Sequence, residues 1–148
     1  MDLKLCLDTN VFIAVNVNEP NAPECKKILN SIEVKSVEAN LSTIVIAEML
    51  VGFYSNGDHI GADKFLSKVN SLYQTFPVSL EIAKKGAEIR STHNIRLPDA
   101  LIYATMLNSK ADFLISNDHP LKKKDPKILT PTEFVQKFHI SDEMKEKK

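Results

Sequence analysis

The chain has 148 residues, 43% hydrophobic and 26% charged, which suits a single globular domain that buries roughly two thirds of its unfolded surface. Its 19 Lys and Arg balance 19 Asp and Glu, so net charge gives no nucleic-acid signature, and any basic patch must come from uneven placement. No uncharged apolar stretch reaches the roughly 20 residues of a membrane span, and the N-terminus enters a strand at once, leaving no room for a signal peptide. Cys6 and Cys25 read as buried thiols of a reducing compartment, with no CxxC or Cys/His spacing for zinc, so a cytoplasmic protein is expected.

In chain order, Leu3, Leu5 and Leu7 alternate as a first strand that ends at Asp8. Pro23 stands near the start of a helix whose stripe is Cys25, Ile28, Leu29 and Ile32. Val37, Ala39 and Leu41 alternate with Glu38 and Asn40 as a second strand, and Ser42 caps a helix from Thr43 to about Tyr54. After the break "SNGDH", the next stripe is Ala62, Phe65, Leu66, Val69 and Tyr73. A short strand near Gln74–Val78 leads to Ser79 and a helix carrying Ile82, Gly86, Ile89 and His93 on one side. Pro98 opens a helix from Asp99 to about Asn108, "DFLIS" (Asp112–Ser116) is a buried strand, and Lys127–Leu129 a short last one. Thr130-Pro131-Thr132-Glu133 has the form of a capping box.

This alternation predicts one α/β domain over residues 1–140, a parallel sheet of about five strands with helices on both faces, and a charged, frayed tail over residues 141–148. In such sheets ligands sit beyond the carboxyl ends of the strands, where Asp8 and Asp118 fall. Two further acids stand out. Glu48 is the only charge between Glu38 and Asp58, with Ile44, Val45, Val51 and Gly52 as its helical neighbours. Asp99 is the only charge between Arg96 and Lys110 and shares a face with Ile102, Tyr103 and Met106, although a first-turn acid also gains from the helix dipole.

The plain reading of any one of these acids is a cap or a buried salt bridge. For four together the partners run short, because no Lys or Arg lies in the apolar segments around Asp8, Glu48 or Asp99. Carboxylates converging in one cleft repel, and hard divalent cations such as Mg²⁺ or Mn²⁺ resolve the conflict with oxygen ligands. A metal held this way activates water and stabilises charge on a leaving oxygen. Arg90, Arg96 and the run Lys122–Lys124 are the side chains best placed to steer and hold phosphates, although a lysine run first reads as a solvated loop. His119 in its Pro-containing loop, and Phe53, Tyr54 and Tyr103 in apolar helices, read as surface and as core or interface.

"LDTN" at Leu7–Asn10, "TIVIAEML" with Glu48, "LPDALIYATM" with Asp99 and "ISND" with Asp118 together resemble the PIN-domain ribonucleases, most of all the VapC-type toxins of toxin–antitoxin pairs. The resemblance covers nearly the whole chain. It implies a metal-dependent endoribonuclease whose acid set is Asp8, Glu48, Asp99 and Asp118, supported by the Thr9 hydroxyl and by Asn117. Asp8 and Asp99 would hold Mg²⁺ or Mn²⁺, with Glu48 and Asp118 entering through water or a second metal, and Arg96 and Lys122 would touch the RNA. It further implies an antitoxin partner and, with the apolar surplus of "AEMLVGFY", a homodimer. The family often has an aromatic residue shortly after the last acid, where this chain has "HPLKKK".

Three other readings keep a similar fold. A haloacid-dehalogenase-type phosphatase would use Asp8 as nucleophile, but its DxDxT pattern meets Asp8-Thr9-Asn10-Val11-Phe12 here and loses its second acid. A receiver domain carries its acidic pair near the first strand and its acceptor later. A non-catalytic RNA-binding or partner-binding domain leaves four retained acids without a use.

Overall fold

Leu5, Cys6 and Leu7 are wholly buried because the strand that carries them, β1 (Lys4–Leu7), is the centre of the sheet. A parallel strand covered on both faces needs an unbroken apolar run, and each such side chain contributes about 1.5–3 kcal/mol by leaving water. The computed structural model describes residues 2–140, so the expected charged tail lies outside the described residues.

β1 pairs in parallel with β2 (Glu38–Ser42) on one side and β4 (Phe113–Ile115) on the other; Leu5 stands opposite both Ala39 and Phe113. β3 (Gln74–Phe76) extends the sheet beyond β2, and β5 (Ile128–Leu129) extends it beyond β4. The resulting order, β3-β2-β1-β4-β5, is all parallel and matches the expected five-stranded α/β sheet. The chain leaves β1 toward β2 and β3, then crosses back to β4 and β5. That reversal puts the topological switch point between β1 and β4, where such sheets open a crevice.

Parallel connections demand helical crossovers. α1 (Thr9–Asn16) and α2 (Ala22–Glu33) join β1 to β2, and α3 (Thr43–Ser55) and α4 (His59–Leu72) join β2 to β3. α5 (Leu80–Thr92) and α6 (Leu97–Asn108) make the long return to β4; α6 lies on β1, β2 and β4, and α5 packs along α6. α7 (His119–Lys122) precedes β5, and α8 (Pro131–Phe138) returns to pack on α2. The right-handed crossover rule sets the helices of the first two connections on one face of the sheet and those of the return on the other.

The caps read from sequence at Ser42 and Thr130 are made, and Ser79 adds one that was not read. Ser42 accepts from the Ile44 amide at 3.1 Å, Ser79 from Ile82 at 3.2 Å, and Thr130 with Glu133 forms a complete capping box. Cys6 and Cys25 are free, buried thiols. α1 and α7 are additions to the sequence reading, which ran from the first strand directly to α2 and left the segment after Asp118 as a loop. Asp8 and Asp118 cap these two helices: Asp8 accepts from the Thr9 amide and Asp118 from the Leu121 amide.

Candidate functional site

Asp8 turns out of β1 with its own amide still donating to the Ile115 carbonyl of β4 at 3.0 Å, so both sheet strands fix its position. Only 3% of it is exposed. Its Oδ1 accepts from the Thr9 amide at 2.7 Å, and its Oδ2 accepts from the Ser116 hydroxyl at 2.7 Å and the Asn10 amide at 3.3 Å. Burial pushes its carboxyl up from 3.8 to about 6; the Ser116 and Thr9 hydrogen bonds oppose this, and the charges of Asp99 and Asp118 add to it. Ser116 also accepts from the Asp118 amide at 2.9 Å, so one hydroxyl ties the first acid to the fourth.

Asp99 reaches the same crevice from the first turn of α6 and is 5% exposed. Burial raises its pKa, Arg96 opposes that through a hydrogen bond and its charge, and Asp118 raises it again. Arg96 is the residue before α6. Its Nε donates to Asp99 Oδ2 at 3.1 Å and its Nη2 to Oδ1 at 3.3 Å, a two-pronged fork on one carboxylate. The expectation that Asp99 lacks a cationic partner therefore fails. The partner sits three residues upstream, within reach across the first helical turn. Glu48 and Asp118 also act on the Arg96 guanidinium and, with Asp99, hold its pKa above the ordinary arginine value.

Glu48 is not enclosed by its apolar helix face as its sequence neighbours implied. It is half-buried and lies on the wall of a groove of 520 Å³ shared with Ile13, Asn16, Gly52, Phe53 and Asn56. α3 turns Val45 and Met49 into the core, and Glu48 falls on the edge facing α1. There its Oε1 accepts from the Thr9 hydroxyl, and Thr9 is itself buried. Asn117 donates its backbone N–H to Asn10 Oδ1 at 3.1 Å and accepts from Asn21 Nδ2 at 2.6 Å, while its own Nδ2 is buried without a partner.

The structure thus brings Asp8, Asp99 and Asp118 into mutual range and links Glu48 to them through Thr9 and through Arg96. It does not bring Lys122 into that set: its ammonium pairs with Glu133 of α8 at 3.1 Å. Tyr103 donates to Asp125 at 2.7 Å and is core, and His119 is exposed. Ser116, Asn10 and Asn21 are the residues that sequence reasoning passed over. The available signal was a hydroxyl two residues before a strand-end acid.

Among the described residues no three His, Cys, Asp or Glu side chains form a ready-made ligand cage. The donor chemistry nevertheless suits a hard divalent cation. Every candidate ligand is an oxygen, and the pKa values of two buried acids, Asp8 and Asp99, are raised by desolvation and by neighbouring acids, a cost that a bound cation reverses. Mg²⁺ keeps several waters and asks for only one or two carboxylates plus substrate phosphate.

A family model described as PIN domain matches residues 5–126. An uncharacterized protein of Archaeoglobus fulgidus is 33% identical over 61 residues, 41% of this chain and 97% of that protein. The fold is similar to a toxin–antitoxin complex from Klebsiella pneumoniae, with 24% identity, 86% of this chain and 97% of that chain covered, and a TM-score of 0.69. It is similar to VapBC2 from Rickettsia felis bound to a promoter DNA fragment, at 20% identity, 86% and 97% coverage and a TM-score of 0.67. VapC20 of Mycobacterium tuberculosis, a sarcin–ricin loop cleaving toxin, is 16% identical with 80% and 93% coverage and a TM-score of 0.67.

Proposed function

The chain belongs to the PIN domain family, and from that premise we propose that it is a Mg²⁺- or Mn²⁺-dependent endoribonuclease, the toxin of a VapBC-type toxin–antitoxin pair, with residues 1–140 as its nuclease domain. The observation that carries the proposal is the approach of Asp8, Asp99 and Asp118 at the mouth between β1 and β4, with Glu48 joined to them through Thr9. The VapC20 toxin cleaves the sarcin–ricin loop and other similar structures are toxin–antitoxin complexes, which supports RNA as substrate and an antitoxin as partner.

In this reading Asp8 and Asp99 would hold the cation, whose chemistry when bound would be activation of water and neutralisation of charge on the phosphate. Ser116 and the Thr9 amide hold Asp8 in a single orientation, so its oxygens would be pre-set for a cation. Thr9 orients Glu48 through its hydroxyl, and Asp118, fixed by the Ser116 hydroxyl and the Leu121 amide, closes the acid set. Arg96 lies on the exposed rim, where it meets the RNA phosphate, and Asn117 offers its unpaired amide beside the fourth acid. With Lys122 held by Glu133, Lys123 and Lys124 are the freer cations of that loop for steering the backbone. RNA as substrate and two buried free thiols favour the cytoplasm.

The test is a cleavage assay on mixed RNA with Mg²⁺, Mn²⁺ or EDTA, comparing wild type with Asp8→Asn and Asp99→Asn. Wild type should cut only with metal, and each variant should lose about 10²-fold or more in rate while remaining folded by circular dichroism. Undiminished cleavage in EDTA, or by both variants, removes the reading. Phosphate released from small phosphomonoesters and trapped on Asp8 would favour the phosphatase instead. That rival gains nothing from Asn10, whose amide is spent on Asp8 and Asn117.

A further inference from the structure

We propose that Arg96 is a resident counter-cation of the acid site, and that a divalent metal must break its fork on Asp99 to bind there. The inference rests on the metal-dependent reading above and adds a competitor from within the chain. Three observations carry it.

The first is geometry. Both Asp99 oxygens accept from the guanidinium, at 3.1 and 3.3 Å, so one lone pair of each is engaged in a two-pronged match. A cation that takes one of these two lone pairs displaces the bond it holds. The second is charge. The guanidinium pairs with Asp99, and the charges of Glu48 and Asp118 act on it as well, so it partly neutralises the same group of carboxylates that a metal would. The third is mobility of the two partners. The Arg96 side chain is 74% exposed whereas that of Asp99 is 6% exposed, so the arginine can swing into solvent without opening the core while the acid stays in place. An ion pair with one exposed partner is weak enough to yield to a divalent ion and strong enough to lower its affinity.

The experiment is calorimetric titration of the metal-free protein with Mn²⁺ for wild type, Arg96→Gln and Arg96→Lys. Arg96→Gln should bind Mn²⁺ about threefold to tenfold tighter than wild type, the scale of a partly exposed ion pair. Arg96→Lys keeps the charge and loses the fork, and should fall between them. Thermal melts give a second readout. In EDTA, Arg96→Gln leaves Asp99 without its partner and should melt below wild type, and saturating Mn²⁺ should close the gap. Equal or weaker Mn²⁺ binding by Arg96→Gln overturns the proposal, because Arg96 would then support the site rather than compete for it. Arg96→Lys indistinguishable from wild type removes the fork from the account and overturns it too. If wild type itself binds no Mn²⁺, the metal-dependent reading falls and takes this proposal with it. Metal-dependent cleavage by wild type with no gain in Arg96→Gln sinks this proposal alone.

Discussion

Asp8 shows how one side chain serves folding and chemistry together. It caps α1 through the Thr9 amide and is tied across the sheet by Ser116, yet burial and two neighbouring acids lift its pKa to about 6. The native state therefore binds this proton more tightly than the unfolded chain, whose Asp titrates near 3.8. Stability contributed by the group is greatest below that value, declines as pH rises toward about 6, and is level above it, at about 1.4 kcal/mol per unit of pH within the window. Asp99, raised in the same direction, adds to the trend. Denaturant melts in EDTA should show a more stable protein at pH 5 than at pH 7, and Asp8→Asn should flatten the difference. A wild type that is more stable at pH 7, with the slope unchanged by Asp8→Asn, would show that these carboxylates are stabilised in their charged form. The acids themselves were legible in the sequence, Glu48 and Asp99 as lone charges beside apolar neighbours and Asp8 and Asp118 as acids at the ends of apolar strands. Ser116, Asn10 and Asn21 were not legible. Hydroxyls and amides are common at strand and helix ends, and these act on partners about a hundred residues away in the chain, which only the folded sheet brings near.

At the scale of elements, strands and caps were readable from alternation and from Ser, Thr and Pro at helix starts, while α1 escaped because "TNVFIAVN" has no polar face to give a helical period. Its signal was the capping Asp8, which drew attention as an acid and so was not used as a helix start. Two helical glycines make the packing testable. A Cβ at Gly52, on the groove beside Glu48, meets nothing within 4 Å, so Gly52→Ala should gain about 0.5–1 kcal/mol from the lost freedom of the unfolded chain. Gly86 lies where α5 meets α6, and a Cβ there would stand 2.6 Å from the end of Leu101 and 3.4 Å from its Cα. Gly86→Leu should cost about 1–3 kcal/mol by pushing α5 off the helix that carries Asp99, and should weaken Mn²⁺ binding along with stability. Thermal melts and Mn²⁺ titration of both variants check this. A Gly86→Leu protein as stable as wild type would mean that the α5–α6 contact does not set the position of the site.

At the scale of the whole molecule, the described residues leave apolar side chains on the surface along α3 and at the starts of α5 and α6. Val51 is 63% exposed and Tyr54 48%, which agrees with the apolar surplus noticed in "AEMLVGFY", and Leu97 at 49% and Leu80 at 88% add to it from elsewhere in the chain. No helix of the described residues is long and apolar enough to cross a membrane. A homodimer through these faces is the proposal, and light scattering should show a two-chain mass at micromolar concentration that Val51→Lys with Tyr54→Lys returns to one chain. A wild type that stays monomeric across that range would leave the faces to another partner, with an antitoxin as the first to test for binding and inhibition.

The measurement closest to the central claim asks whether a cation held by Asp8 and Asp99 touches the phosphate being cut. At a mapped cleavage position, one non-bridging phosphate oxygen of the RNA is replaced by sulfur, and single-turnover rates are taken in Mg²⁺, in Mn²⁺ and in EDTA. Mg²⁺ binds sulfur poorly and Mn²⁺ tolerates it better. The account predicts slow cleavage of one sulfur isomer in Mg²⁺, recovery in Mn²⁺, and none in EDTA. Equal rates for oxygen and for both sulfur isomers in the two metals, or cleavage that persists in EDTA, would contradict it.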